Sequence, residues 1–190
     1  MEKEKTGPAS GFRPVLLSKE DADAFCALRT ALLCELGEAG DGADACAFAA
    51  ATREYYLSNL GKGLFCFGVF ADGTLAAAGA LCLFSRLPYP ENLSGSEGYI
   101  LSVYTLPRFR RRGFAGGLVD AMIRFAEKQG VGRLWTGSSD AGRAVYQKAG
   151  FAEKGGEMEL FLPVKGRRLP PRWKTPPGFP RRVPLGAKTG

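Results

Sequence analysis

The chain contains no histidine. A Ser-His-Asp triad, a Cys-His pair and a histidine-bound metal are therefore excluded. Any acid or base must come from Tyr, Asp, Glu, Lys, Cys or water. Cysteine is sparse: five residues, Cys26, Cys34, Cys46, Cys66 and Cys82, an odd count with no CxxC pair. That pattern argues against a disulfide framework and against a thiolate zinc site, so no metal is expected. Long apolar runs are missing as well, since none approaches the ~20 residues that span a bilayer. The charged start Met1-Glu2-Lys3-Glu4-Lys5 lacks the apolar block of a secretory signal. The expectation is a cytoplasmic protein with no membrane partner.

Acid is absent from one region. Lys165 to Gly190 holds eight Lys or Arg, no Asp or Glu, and six of the twelve prolines. The formal charge of +7 comes from this segment, because the remainder carries 18 basic against 19 acidic residues. The tail is a basic, proline-rich appendage rather than part of a basic domain. Arg167, Arg168, Arg172, Lys174, Arg181 and Arg182 interleave with Trp173 and Phe179, which suits sequence-independent contact with RNA or the ribosome. The plainer reading is a disordered extension without a partner, so nucleic-acid contact is expected, if at all, only through the tail. The 190 residues, 45% of them hydrophobic, suit one domain with appendages: a loose start over 1–10, a domain over 11–164 and the tail over 165–190.

Within the domain, Phe12 to Leu17 reads as a short strand. Ser18-Lys19-Glu20-Asp21 resembles a capping box with Asp in place of Glu, and Phe25, Leu28 and Leu32 follow at helical spacing. The acidic, glycine-rich stretch Gly37 to Asp44 breaks that helix, and a second is predicted from Ala45 to Leu60. Leu64 to Phe70 and Thr74 to Phe84 flank an Asp72-Gly73 turn, a good hairpin signal. A polar loop, Pro88 to Glu97, leads to the near-continuously apolar Gly98 to Leu106, as expected of a strand covered on both faces. Ala115, Leu118, Val119, Met122 and Ala126 form one helical stripe ending near Gly130. Arg133 to Gly137 reads as a strand, Gly142 to Ala149 as a helix and Glu157 to Leu162 as a closing strand. This β-α-α-β-β-β-α-β-α-β order predicts an α/β (α+β) fold, a mixed sheet with helices on both faces, and a parallel crossover between Gly98 and Gly137.

The segment Val103 to Ala115 carries the most chemistry. A strand runs through Pro107 into Arg110-Arg111-Arg112, then Gly113, then the striped helix. The first amides of a helix have no partner inside it, and with the helix dipole they attract an anion such as a pyrophosphate. Gly113 permits close approach to the backbone, and the arginines add charge and forked donors. The lysine-Ser/Thr ending of a P-loop is missing, and no second glycine makes a dinucleotide fingerprint. An isolated Arg-Arg-Arg is usually a solvated surface run. Here the strand before it and the glycine-led helix after it favour a phosphate site.

Arg110-x-x-Gly113-x-Ala115 resembles the Gln/Arg-x-x-Gly-x-Gly/Ala core of the GNAT superfamily of acyl-CoA-dependent N-acetyltransferases. Gly98 to Pro107 looks like that family's fourth strand. Asp140 to Phe151 looks like its Gly-Arg-x-x-Tyr-x-x-x-Gly-Phe segment, and Met158-Glu159-Leu160 fits the closing strand. The resemblance covers roughly Phe12 to Pro163.

The resemblance implies a mostly antiparallel central sheet with a splayed parallel strand pair at a coenzyme site, and acetyl-CoA as co-substrate. The pyrophosphate would lie on the amides and side chains of Arg110, Arg111, Arg112, Gly113, Phe114, Ala115 and Gly116. The pantetheine arm would bond along Val103, Tyr104 and Thr105, with Ser139 contributing where relatives carry Asn. Tyr146 would protonate the departing thiolate, although an aromatic in a short helix is more often packing. Relatives with a glutamate inside the fourth strand use it as base. Gly98 to Leu106 has none, so Glu97 is the first candidate, directly or through water, followed by Asp140 and Glu157. The implied activity is acetyl transfer to a primary amine of a small molecule or peptide by direct attack in a ternary complex. The acidic residues Glu35, Glu38, Asp41 and Asp44 would attract a cationic acceptor or merely solubilise a loop. The alternatives are a non-catalytic CoA-binding module and a transferase whose tail binds RNA. Many relatives are homodimers, but no interface is legible in the sequence.

Overall fold

The structure, a computed structural model, describes residues 12–38 and 43–155. Expectations on 1–10, on the closing strand Glu157–Leu162 and on the basic tail lie outside the described residues. The described elements all fall within one compact unit that ends at Ala152.

The chain enters on a two-residue strand, β1 (Val15–Leu16), shorter than the Phe12–Leu17 strand expected. Only Val15 and Leu16 find partners on β2 (Leu64–Ala71), opposite Gly68 and Phe67. The Ser18 cap forms as expected: its amide and hydroxyl both donate to the Asp21 carboxylate, at 2.8 and 3.0 Å. It leads into α1 (Ala22–Glu35). The second helix, α2 (Ala43–Asn59), starts two residues before the expected Ala45.

β2 and β3 (Thr74–Ser85) form the hairpin across Asp72-Gly73, both at positive φ, 52° and 68°. Asp tolerates that region and Gly occupies it freely, which is why this pair marks the turn. β4 (Ser96–Thr105) follows, then α3 (Phe114–Lys128), β5 (Arg133–Thr136) and α4 (Asp140–Lys148). The five strands lie in sequence order, all antiparallel neighbours except the parallel pair β4–β5. The expected mixed sheet is thus present, with the β4–α3–β5 crossover supplying its parallel pair.

Each sheet face has its own core. On one, Phe67, Leu81 and Ile100 pack against Leu118, Val119 and Met122 of α3 and Tyr146 of α4. Leu118, Val119 and Met122 have no exposed surface, so truncating any of them to Ala costs roughly 2–5 kcal/mol. On the other, Leu64, Cys66, Ala80 and Tyr104 pack against Phe25 and Leu28 of α1 and Tyr56 of α2. The cysteines are free, and Cys66 is wholly buried with its thiol pKa pushed up by that burial. It behaves as a small apolar group. No helix among the described residues is long and apolar enough to cross a membrane.

Candidate functional site

The site begins with an irregularity in β4. Ala78 of β3 faces Tyr104 and Ala80 faces Leu101, so Gly79 alone stands against both Ser102 and Val103. This is a β-bulge, and Ser102 takes a positive φ of 55° within it. A bulge bends its strand and increases the local twist. β5 pairs with β4 only over Glu97–Ile100 and Arg133–Thr136. Beyond Ile100 the two parallel strands part, and Leu101 to Thr105 has no strand partner on that edge among the described residues. A wedge therefore opens between β4 and β5, with a β4 wall that no strand pairs among the described residues. The Thr105 hydroxyl there is buried and has no hydrogen-bond partner.

The β4 wall runs directly into the phosphate-type loop. After a 3-10 turn over Pro107–Phe109, Arg111 and Gly113 both adopt positive φ, 66° and 82°. Such left-handed residues turn successive amides toward one side and make an anion-binding concavity. The bond from the Gly117 amide to the Gly113 carbonyl, 3.0 Å, closes the first turn of α3. The amides before it point out of the helix end, and no side chain caps Gly113. A β-carbon built on Gly113 or Gly116 would meet nothing within 4 Å, so this end of the helix is open space. Open amides, the unpaired β4 edge and the orphaned Thr105 hydroxyl together fit a ligand with a diphosphate and an extended amide-bearing arm.

The three arginines divide. Arg110 turns inward: it donates to Glu35 of α1 at 2.6 Å and to the Thr105 carbonyl at 3.1 Å, and lies over the Tyr104 ring. The Tyr104 hydroxyl donates to the same Glu35 carboxylate at 3.0 Å. Arg110 and then Tyr104 hold the Glu35 pKa below the ordinary carboxylate value. Glu35 is consequently committed to the end of β4, and a role in attracting a cationic acceptor does not fit it. Arg112 lies 5.3 Å over the buried Phe109 ring, while Arg111 is exposed at the left-handed corner.

Tyr146 projects from α4 into the core at the point where the strands part. It is buried, packed edge-on against Phe151, beside the hydroxyl of Thr136, the last β5 residue paired to β4. Burial raises its pKa, Thr136 opposes that, and Tyr99 adds to the rise. The hydroxyl is therefore protonated at neutral pH, the state a proton donor needs. Ser139 caps α4, its hydroxyl accepting from the Gly142 amide at 3.2 Å. One of its two lone pairs is thus used locally.

Glu97 lies elsewhere. Expected in the loop before the strand, it is the second residue of β4, paired to Phe84 and Arg133 and wholly buried. Six residues separate it from Val103, on the order of 20 Å along a strand. One carboxylate oxygen accepts from the Tyr89 hydroxyl at 2.8 Å and faces Arg86 and Arg133 at 3.5 and 3.6 Å. Burial works to raise its pKa, but Tyr89 and the two arginines outweigh it and the value falls below the ordinary one. That is an anchored carboxylate, poorly suited to take a proton in the wedge. Asp140 is fully exposed at the start of α4, 3.4 Å from Arg143. Glu157 lies outside the described residues.

Two residues beside the bulge were given no role by the sequence: Arg29 of α1 and Ser102 of β4, whose side chains hydrogen-bond to each other. The signal for Arg29 was a charge in the inward stripe of α1, between Phe25 and Leu32 at helical spacing.

The profile of the acetyltransferase (GNAT) family matches residues 35–151. No curated protein matches the chain in sequence. Among solved structures, a GCN5-related N-acetyltransferase from Ralstonia eutropha JMP134 superposes with a TM-score of 0.69 at 23% identity, over 82% of this chain and 100% of that one. A predicted acetyltransferase from Clostridium acetobutylicum, crystallised with acetyl-CoA, gives 0.68 at 23% identity over 79% and 96%. The glucosamine-6-phosphate N-acetyltransferase of Arabidopsis thaliana gives 0.61 at 18% identity over 81% and 100%. At these identities the likeness establishes the fold.

Proposed function

Since the chain belongs to the acetyltransferase (GNAT) family, we propose that it transfers an acetyl group from acetyl-CoA to a primary amine. The observation that carries this reading is an arrangement. The wedge between β4 and β5 begins beside the buried Tyr146, and its β4 wall leads in sequence to the open amide end of α3. A structural neighbour holding acetyl-CoA and another named for acetylating an amino sugar phosphate support it.

In this reading the amides of Arg111 to Gly116 hold the diphosphate, helped by Arg111 and Arg112. Arg110, anchored on Glu35, braces the β4 wall. Val103, Tyr104 and Thr105 bond the extended arm through their unpaired edge. The amide of Val103 or Tyr104 polarises the thioester carbonyl, a fixed donor whose removal typically costs ~3 kcal/mol of barrier. The neutral amine attacks the carbonyl carbon, the C–S bond breaks, and Tyr146 gives its proton to the departing sulfur. Solvent water takes the proton lost by the amine and restores Tyr146. We assign the base to water rather than to Glu97, because that carboxylate is buried and held by two arginines. The free cysteines fit a reducing, cytoplasmic setting.

The test is release of free CoA thiol from acetyl-CoA across a panel of primary amines. Amine-dependent release with matching acetylated product supports the assignment. Tight acetyl-CoA binding without release from any amine would replace it with a non-catalytic CoA-binding module.

A further inference from the structure

We propose that the acceptor amine carries an anionic group, a carboxylate or a phosphate, and that Arg29 holds it; this rests on the acetyl-transfer reading above. Arg29 occupies the inward stripe of α1, half-buried between the Phe48 ring of α2, 5.5 Å away, and the Ser102 hydroxyl on β4. Guanidinium stays charged in such surroundings. Burial is the main influence disfavouring its charge, with Cys82, Cys26, Cys66 and Glu38 acting the other way. Yet no carboxylate among the described residues stands within ion-pair distance of it.

Four other arginines packed around this sheet have carboxylate partners. Arg110 pairs with Glu35 at 2.6 Å, Arg53 with Asp23 at 2.6 Å, and Arg86 and Arg133 share Glu97 at 3.5 and 3.6 Å. A half-buried cation with no carboxylate of the described residues in ion-pair contact is a place for a ligand's anion. The guanidinium has five N–H donors in a fork that suits either oxyanion, and Ser102 is the hydrogen-bond partner it has on β4.

Its position matches the chemistry. Ser102 lies in the bulge that opens the wedge, one residue before Val103, on the side facing α1. The coenzyme arm would run along the open β4 edge, leaving the α1 and α2 side for the acceptor. On that side Glu35 and Glu97 are both neutralised by arginines. Those two carboxylates are therefore committed, whereas an amine with an anion meets a fitting partner in Arg29.

The experiment uses the full chain and matched amine pairs in the thiol-release assay. Alanine against alaninamide tests a carboxylate; glucosamine 6-phosphate against glucosamine tests a phosphate. The expected result is about a tenfold or greater advantage in kcat/KM for the anionic member of one pair, the size of one charge-assisted hydrogen-bonded contact. The pair that shows it identifies the anion. Arg29→Gln should erase the advantage while the acetyl-CoA Kd stays within about twofold, and Arg29→Lys should keep part of it. If Arg29→Gln does not fold, the wild-type comparison still decides. Equal or better turnover of the uncharged members, or an advantage that survives Arg29→Gln, overturns the proposal. Absence of acetyl-CoA binding, or of thiol release with any amine, overturns the transferase reading itself and this inference with it.

Discussion

The two ends of β4 handle polarity in opposite ways. At its start, Glu97 is buried completely and surrounded by Tyr89, Arg86 and Arg133, so charge is neutralised and one side of the strand pairs with β5. Past Ile100 the bulge at Ser102 turns the strand away, and a strand edge, the Thr105 hydroxyl and the α3 amides are left unclaimed. A folded chain ordinarily satisfies its buried polar groups. The first end follows that rule at one Glu97 oxygen, which Tyr89 and both arginines face, while the other oxygen is buried without a hydrogen-bond partner; its paired charges serve stability. The second departs from it, and a ligand with complementary groups completes it. One strand thus carries both an anchor and a site, and mutations at its two ends should separate stability from turnover.

The largest effect belongs to the open end. Tyr146→Phe removes only the proposed proton donor, and turnover should fall about a hundredfold or more while acetyl-CoA still binds. In the wild type, loss of turnover at alkaline pH should lie above the ordinary tyrosine value of about 10, because burial raises the pKa. Unchanged turnover in Tyr146→Phe would return this residue to packing alone.

The closed end should answer in stability instead. Glu97→Ala leaves Arg86 and Arg133 without their shared partner, a loss of about 3 kcal/mol in denaturant unfolding. The pH dependence follows from its lowered pKa. The stabilisation is complete above the unfolded-state value of about 4.3 and disappears as pH falls through the lower folded value. Glu97→Gln should flatten stability over that acidic range and leave the pH–rate profile near neutrality unmoved. A shifted rate profile would restore Glu97 as the base.

The smallest of these effects sharpens the boundary between the two ends. Gly113→Ala places a side chain at φ 82°, a strain of roughly 1–2 kcal/mol. Relaxing it moves the amides of the loop, so acetyl-CoA affinity should drop about tenfold, read by calorimetry, with little change in Glu97-dependent unfolding. Equal affinity would detach Gly113 from the site.

What the sequence revealed was mostly local. The Ser18–Asp21 cap, the Asp72-Gly73 turn, the Leu118-Val119-Met122 stripe and the Arg-Arg-Arg-Gly loop each depend on neighbours a few residues apart, and each formed. The strand and helix order of the described residues followed from them. Features made by distant partners were hidden. Glu97 looked like a loop residue because the arginines that neutralise it arrive from the β3 end and from β5. The engagement of the Arg110 side chain was hidden because Glu35, its partner, lies 75 residues away. The bulge needed the β3 register to be seen at all. Arg29 was visible as a charge in an apolar stripe, but its significance depended on finding no carboxylate beside it.

Titrating the full chain with acetyl-CoA in an isothermal calorimeter tests the central claim most directly. The account predicts saturable heat at one coenzyme per chain, reduced in affinity by Gly113→Ala and kept by Tyr146→Phe. A flat titration with well-folded protein would contradict it.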